Sequence, residues 1–267
     1  MQALIVIPVR YGSTRFPGKP LHMISGKTML QRMCEIGQTA TGRFSDVHLM
    51  VTTDDQRVQQ HAEQIGVSVV MTSSECETGT DRVLTAVKCL KDQPNIVINL
   101  QGDSIFTPPD FIEALIKTML DNSSITTVTP AVQLSWDELD QLRKHKETTP
   151  FSGTCVVIDK NHQALWFSKT IIPVIRRESE LRQIMEKSPV YRHIGLYGYT
   201  RNALEKYATL EPTLYEKLEG LEQLRLLENG YPIKIVEVDY QSRPQMSGID
   251  TLEDAVRAEV LLEQIEG

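Results

Sequence analysis

Basic residues are in deficit. The 267-residue chain sets 28 Lys and Arg against 35 Asp and Glu, a formal charge of -7. That is the wrong balance for a general nucleic-acid binder, whose surface is normally basic. A small anionic ligand is still admitted, because a local basic pocket can sit on an acidic protein. Long apolar runs are also missing, and no segment approaches the roughly 20 residues of a membrane-spanning helix. Cysteine is sparse: Cys34, Cys76, Cys89 and Cys155 are scattered with no C-x-x-C pair. Their spacing argues against structural disulfides or a zinc site and suits a reducing cytoplasm. The first apolar run, residues 3–8, lacks a basic leader and ends at Pro8-Val9-Arg10, so it reads as a buried strand and not as a signal peptide. No repeat, low-complexity tract or linker is visible.

What the chain does contain is alternation. Strands are expected at 3–8, 47–52, 67–71 and 95–100. Between them come a helix over 28–40, with Met29, Leu30, Met33 and Ile36 at helical spacing, and a second capped by Asp54 or Asp55 and running to about Ile65. A third covers 80–91, and Pro108-Pro109 opens a fourth. This order predicts an α/β fold, a mostly parallel twisted sheet flanked by helices in the Rossmann-like manner. Ligands of such sheets bind at the carboxyl ends of the strands, which here means the loops 8–20, 53–55, 72–82 and 101–108. Beyond about 125 the pattern loosens: strands at 125–131, 154–158, 164–167, 193–199 and 232–238, helices near 135–144, 201–208, 216–229 and 251–265. The charged stretch 174–192 reads as a mobile loop or a subunit-contacting arm. The whole, 1–267, is expected to be one domain with an elaborated second half.

Chemistry-bearing residues cluster in the expected loops. Residues 8–20 combine small residues, two hydroxyls and three cations, Arg10, Arg15 and Lys19. Phosphates need this mixture of free backbone N–H groups and fixed positive charge; a basic surface turn would have the same composition. The loop is neither a Walker loop nor G-x-G-x-x-G. Asp103 closes the fourth strand and Asp250 precedes the last helix. Such carboxylates, converging over a triphosphate, would suit Mg²⁺, although Asp is also common at turns and helix caps. Residues 71–74 and 78–82 could read the edge of a base through hydroxyl and backbone groups, or could simply start a helix with Thr80 or Asp81 as its cap. His193 on an alternating strand could equally be a core histidine.

The segment R-Y-G-S-T-R-F-P-G-K-P-L followed by I-S-G-K-T-M-L closely resembles the opening signature of the CMP-Kdo synthetases, the 3-deoxy-manno-octulosonate cytidylyltransferases. Q-G-D at 101–103, G-I-D-T-x-E-D at 248–254, H-I-G-L-Y-G-Y at 193–199 and L-E-Q-L-R at 221–225 extend the resemblance from residue 4 to about 260. It implies transfer of CMP from CTP to the anomeric hydroxyl of Kdo, with pyrophosphate released, in lipopolysaccharide synthesis. It implies Mg²⁺ on Asp103 and Asp250, and a catalytic set of Arg10, Lys19, Asp103 and Asp250. It implies CTP contacts by Arg10, Ser13, Arg15, Lys19, Ser74, Thr80, Arg82 and Gln101. Lys169, Arg176, His193, Tyr197, Glu222 and Gln223 are then the sugar-binding residues. Residues 1–125 would mainly hold CTP, and 126–267 would mainly hold the acceptor and form a homodimer through 130–190. Two departures stand out: Ser104-Ile105 follows Asp103 where the family has Glu-Pro, and Lys169 replaces an arginine. A related acidic sugar such as 8-amino-Kdo, and a non-catalytic CTP-binding paralogue, stay open as alternatives.

Overall fold

Six consecutive buried residues, Ala3–Pro8, make the central strand β1. The computed structural model describes residues 1–13, 15–246 and 248–266. Thr14 and Ser247, which fall in two of the motifs above, lie outside the described residues. After β1 come a short antiparallel pair, β2 (Met23–Ile24) and β3 (Lys27–Thr28), then α1 (Met29–Thr41), β4 (Val47–Thr53), α2 (Gln56–Gln64), β5 (Ser68–Met71), α3 (Gly79–Lys88), β6 (Ile96–Leu100) and α4 (Pro109–Asp121). Each expected element of this half is present. β1 pairs in parallel with β4 and β6, and β4 with β5.

Local chemistry accounts for the helix starts. Thr28 accepts from the Gln31 N–H, Asp55 accepts from the Arg57 N–H, and Thr78 forms a reciprocal cap with Asp81. Each satisfies an otherwise orphaned N–H of a first turn. Neither Thr80 nor Asp81 is therefore the cap residue of α3. Thr78 takes that role one turn earlier, which leaves the Thr80 hydroxyl for another partner.

The second half adds β7 (Thr127–Ser135), α5 (Trp136–Thr148), β8 (Cys155–Ile158), β9 (Ala164–Ser168), α6 (Glu178–Ile184), β10 (Lys187–His193), β11 (Leu196–Thr200), α7 (Arg201–Tyr207), α8 (Leu214–Glu219), α9 (Leu224–Glu228), β12 (Lys234–Glu237) and α10 (Leu252–Glu266). The expected single strand over 193–199 is two strands. β11 pairs antiparallel with β6 and with the start of β7, while β10 pairs with the rest of β7. Both lie on one edge of β7, because β12 occupies the other. The expected helix over 216–229 is also two, since Gly220 takes a left-handed conformation (φ 63°) that ends α8. Glu222 and Gln223 thus sit in a short connection. The stretch 174–192 contains α6 and most of β10. Arg143 and Arg182 pair with Glu178 and Asp140, and together they hold the Glu178 carboxyl down at about 2. Among the described residues ten strands join one sheet, with β7–β12 appended to β6 through β11.

Side chains alternate between two cores. Ala3, Ile5 and Ile7 face the core made with α1, α4 and α10; Leu4 and Val6 face the one made with α3, α7 and α9. No helix among the described residues is long and apolar enough to cross a membrane.

The connection carrying Glu222 and Gln223 is clamped by Arg225, which donates from Nε (2.9 Å) and Nη2 (2.5 Å) to the Glu216 carboxylate, both residues being buried. Removing one partner of such a pair strands the other charge. Arg225→Met is expected to cost about 3–5 kcal/mol, read from urea unfolding; a loss below about 1 kcal/mol would show that the clamp does not matter.

Candidate active site

The parallel strands end together, and their exits line a cleft of about 340 Å³ formed by residues 8–10, 12, 13, 15, 19 and 20, with 78, 79, 82, 101–103 and 250. Phe16 and Pro20, both buried, root the first loop. Gly18 adopts φ 75°, and a Cβ there would lie 3.2 Å from the Tyr11 hydroxyl, so only glycine closes this turn without strain. The next residue is Lys19, at the head of a single 3₁₀ turn.

The Lys19 ammonium donates to Asp103 Oδ2 at 2.9 Å and to Asp250 Oδ1 at 3.2 Å. Arg15 reaches the same Asp250 oxygen at 3.1 Å. Two aspartates 147 positions apart in sequence therefore share one cation. Glycines permit the approach. A Cβ on Gly102 would fall 2.4 Å from Val9 Cγ1 and 2.9 Å from the Pro8 carbonyl, and one on Gly248 would fall 2.9 Å from the Asp103 carboxylate. The Asp103 carbonyl accepts from the Ile249 N–H at 3.0 Å, which ties the two loops by backbone. Asp250 is not a helix cap: Thr251 and Asp254 cap α10 reciprocally, leaving the Asp250 carboxylate to the cleft. Hard carboxylate oxygens that one cation already bridges, beside an opening for phosphate, fit Mg²⁺ chemically. Among the described residues no group of three or more His, Cys, Asp or Glu gathers as a metal site, here or elsewhere; the cleft offers a pair of carboxylates.

The other nucleotide-side residues divide. Arg82, almost fully buried, lines the cleft while donating to Thr72 Oγ1 and Asp54 Oδ2, both at 2.8 Å. Arg10 lies exposed on the rim, with a long 3.5 Å contact to the Glu77 carbonyl. Ser13 also lines the cleft, its hydroxyl accepting from the Phe16 N–H. Gln101 lines it too, but Ser74 is exposed outside the lining, and the Thr80 hydroxyl donates to Glu222 at 3.0 Å.

The expected acceptor residues form a neighbouring wall. His193 packs edge-on to Phe167 and 5.5 Å from Tyr197 between ring centres, and its Nε2 lies 2.8 Å from the Thr129 hydroxyl. Burial, helped by the charge of Lys169, pushes its imidazole down to about 3, and burial also lowers the Lys169 ammonium. Glu222 keeps solvent contact, yet the protein crowded round it raises its carboxyl above the usual range, which marks a group on a cleft wall. Gln223 is 4% exposed, and its Nε2 is buried without a hydrogen-bond partner among the described residues. Arg176 is exposed on the chain between β9 and α6, away from these contacts. Sequence reasoning overlooked Asn99, fully buried on β6 and bonded to both Gln101 and Thr80. One signal could have found it, a polar residue inside the otherwise apolar run Ile96–Leu100.

A cleft at the carboxyl edge of parallel strands, with cations and paired carboxylates, has the make-up of a nucleotidyl-transfer site on an open α/β sheet. The cytidylyltransferase family model matches residues 4–237. A 3-deoxy-manno-octulosonate cytidylyltransferase of Maricaulis maris is 44% identical over 98% of this chain and 97% of its own length; one from Thermodesulfovibrio yellowstonii is 38% identical over 98% of each. A solved CMP:2-keto-3-deoxy-manno-octonic acid synthetase complexed with CTP superposes with a TM-score of 0.83 at 33% identity, over 99% of this chain and 100% of its own. The chain belongs to the 3-deoxy-manno-octulosonate cytidylyltransferase family.

Since His193 stays neutral in the fold, an unfolded chain takes up a proton there below about pH 6.5 that the folded chain refuses. This contribution is whole above that pH and is lost as pH falls towards 3. Between pH 6.5 and 4.5 the urea midpoint of wild type should therefore drop more steeply than that of His193→Gln. Parallel slopes would contradict the burial of the ring.

Proposed function

We propose that the protein transfers CMP from CTP to the anomeric hydroxyl of 3-deoxy-manno-octulosonate, releasing pyrophosphate and supplying the activated sugar for lipopolysaccharide synthesis. The observation that carries this reading is the meeting of Asp103 and Asp250 on Lys19, beside the loop 8–20. Residues 1–125 mainly bind CTP and 126–267 mainly bind the acceptor. Arg10, Ser13, Arg15 and Lys19 serve the triphosphate. Arg82 and Gln101, which line the cleft, serve the nucleoside, whereas Ser74 and Thr80 do not line it.

Asp103 and Asp250 would hold Mg²⁺, which would supply Lewis-acid chemistry, polarising the α-phosphate and lowering the pKa of the attacking hydroxyl. Arg10 and Lys19 balance the charge that builds on pyrophosphate. No covalent enzyme intermediate is needed, so positioning and neutralisation supply most of the rate. Lys169 attracts the acceptor carboxylate, while His193, Tyr197, Glu222 and Gln223 take hydroxyls; Arg176, exposed away from this wall, is left out of the set. The unpartnered Gln223 Nε2 supports that role, because a buried donor gains most from a ligand oxygen. Large apolar side chains left exposed within 130–190, namely Phe151 at 78%, Val174 at 88% and Ile184 at 78%, support a homodimer through this region. The protein works in the cytoplasm, where CTP is available.

Pyrophosphate release with CTP and Kdo is the assay. Asp103→Asn and Asp250→Asn should each lower turnover about a hundredfold or more while leaving the circular-dichroism spectrum intact. Near wild-type rates in both would defeat the assignment. Running 8-amino-Kdo alongside tests the alternative acceptor, because Lys169 gives the acceptor carboxylate a point charge where the family's arginine gives a bidentate fork. CTP binding by calorimetry without turnover on either sugar would indicate a non-catalytic paralogue.

A further inference from the structure

The cleft and the acceptor wall are joined by a chain of polar side chains across the face of the sheet that carries α3. Gln101 Nε2 donates to Asn99 Oδ1 at 3.0 Å, Asn99 Nδ2 donates to Thr80 Oγ1 at 3.4 Å, and Thr80 Oγ1 donates to Glu222 Oε2 at 3.0 Å. Tyr207 adds a second hydroxyl on the same carboxylate oxygen at 3.2 Å. Asn99 is 0% exposed and Thr80 is 5% exposed, so water does not replace these partners. Asn99 also lies in register with Tyr197 on β11, which puts the chain where the two halves of the sheet are joined.

The direction of the chain is fixed from one end. A carboxylate only accepts. The Thr80 hydroxyl must then spend its one hydrogen on Glu222 and accept from Asn99. The Asn99 amide must in turn use its nitrogen on Thr80 and offer its oxygen to Gln101. Gln101 answers with its nitrogen, so its carbonyl oxygen is left for the cleft, where no protein partner meets it among the described residues. A chain whose middle members are buried holds one orientation, because reversing Asn99 leaves like groups facing each other.

We propose that Asn99 and Thr80 are positioning residues for nucleotidyl transfer, relaying the orientation of Glu222 to Gln101 so that Gln101 presents a hydrogen-bond acceptor to the bound substrates and couples the nucleotide cleft to the acceptor wall. This rests on the function proposed above. The group that Gln101 meets is a hydrogen-bond donor, and two substrates carry one there: the exocyclic amine of cytosine and a hydroxyl of the sugar.

Thr80→Val cuts the relay without changing side-chain size, and Thr80→Ser keeps the hydroxyl. In the wild-type background, Gln101→Ala and Glu222→Gln should be non-additive in kcat/KM by about tenfold, within the range for members of one hydrogen-bond network. Combined with Thr80→Val the same two changes should be additive to within about twofold, and combined with Thr80→Ser non-additivity should return. If the donor is the cytosine amine, Thr80→Val lowers the preference for CTP over UTP. If the donor is a sugar hydroxyl, it raises KM for the sugar instead. Additivity in the wild-type background, or a Thr80→Val enzyme with both KM values and the CTP preference unchanged, overturns the relay. A readout independent of turnover separates this from failure of the proposed function: the side-chain amide signals of Gln101 and Asn99 in nitrogen-15 spectra of the full chain. These should shift in Thr80→Val and hold in Thr80→Ser even if wild type transfers no CMP. Signals that hold in both variants refute the relay whatever the enzyme does.

Discussion

The structure turns on one ammonium shared by two carboxylates. Asp103 lies in the turn that follows β6 of the parallel half, Asp250 precedes the last helix, and Lys19 belongs to the loop after the first strand. Brought together alone, the two carboxylates would repel each other in a partly desolvated cleft. With Lys19 at 2.9 and 3.2 Å the three segments instead attract one another. The glycines at 102 and 248 follow from this constraint, since a side chain at either would wedge the segments apart. The capping of α10 by Thr251 and Asp254 follows too, because it spares Asp250 for the cleft.

The sheet does the long-range positioning. Its parallel half delivers strand exits to one edge, where their loops line the cleft. Its antiparallel half reaches that edge through β11, which hydrogen-bonds to β6 along five register positions and brings Tyr197 beside Asn99. His193, three residues before β11, is carried there as the last residue of β10. The acceptor wall therefore inherits its distance from the phosphate loop from backbone pairing, and the clamp of Arg225 on Glu216 fixes the remaining connection.

Much of the parallel half was legible because its signals are local. Continuous apolar runs mark strands buried on both faces, and Thr28 and Asp55 cap helices within reach of their own chain. The second half was less legible for the opposite reason. Helix α6 fully buries no side chain, so its apolar signal is weak; Leu181 packs part-buried against the cluster of Trp136 and Leu139, and charge pairs with α5 add to that contact. The division of 193–199 depends on which strand of a distant pair each residue meets. Gly220 was visible as a glycine, but its left-handed conformation, which puts Glu222 and Gln223 outside a helix, was not. At the site, motif resemblance drew attention to Asp103, Asp250 and Lys19, while the ion triad they form needed three-dimensional information. Ser74 fell outside the cleft lining and Thr80 turned towards Glu222, because neither motif nor spacing says which way a loop side chain faces.

The acceptor wall has a second consequence for selectivity. Its members are held in states that leave little freedom to adjust: a neutral imidazole at His193, a crowded carboxylate at Glu222, and a Gln223 amide with an unspent donor. The Lys169 backbone N–H and the Ser168 hydroxyl are both fixed on Glu219, at 2.8 Å each, so the position from which the Lys169 side chain sets out is rigid even though its ammonium can swing. A flexible point charge on a rigid base tolerates small shifts of a carboxylate, whereas an arginine fork would demand one orientation. On the function proposed above, discrimination between acidic sugars then falls to the groups assigned to the hydroxyls. There an unmatched polar atom is buried and costly, and a mismatched substrate leaves it so.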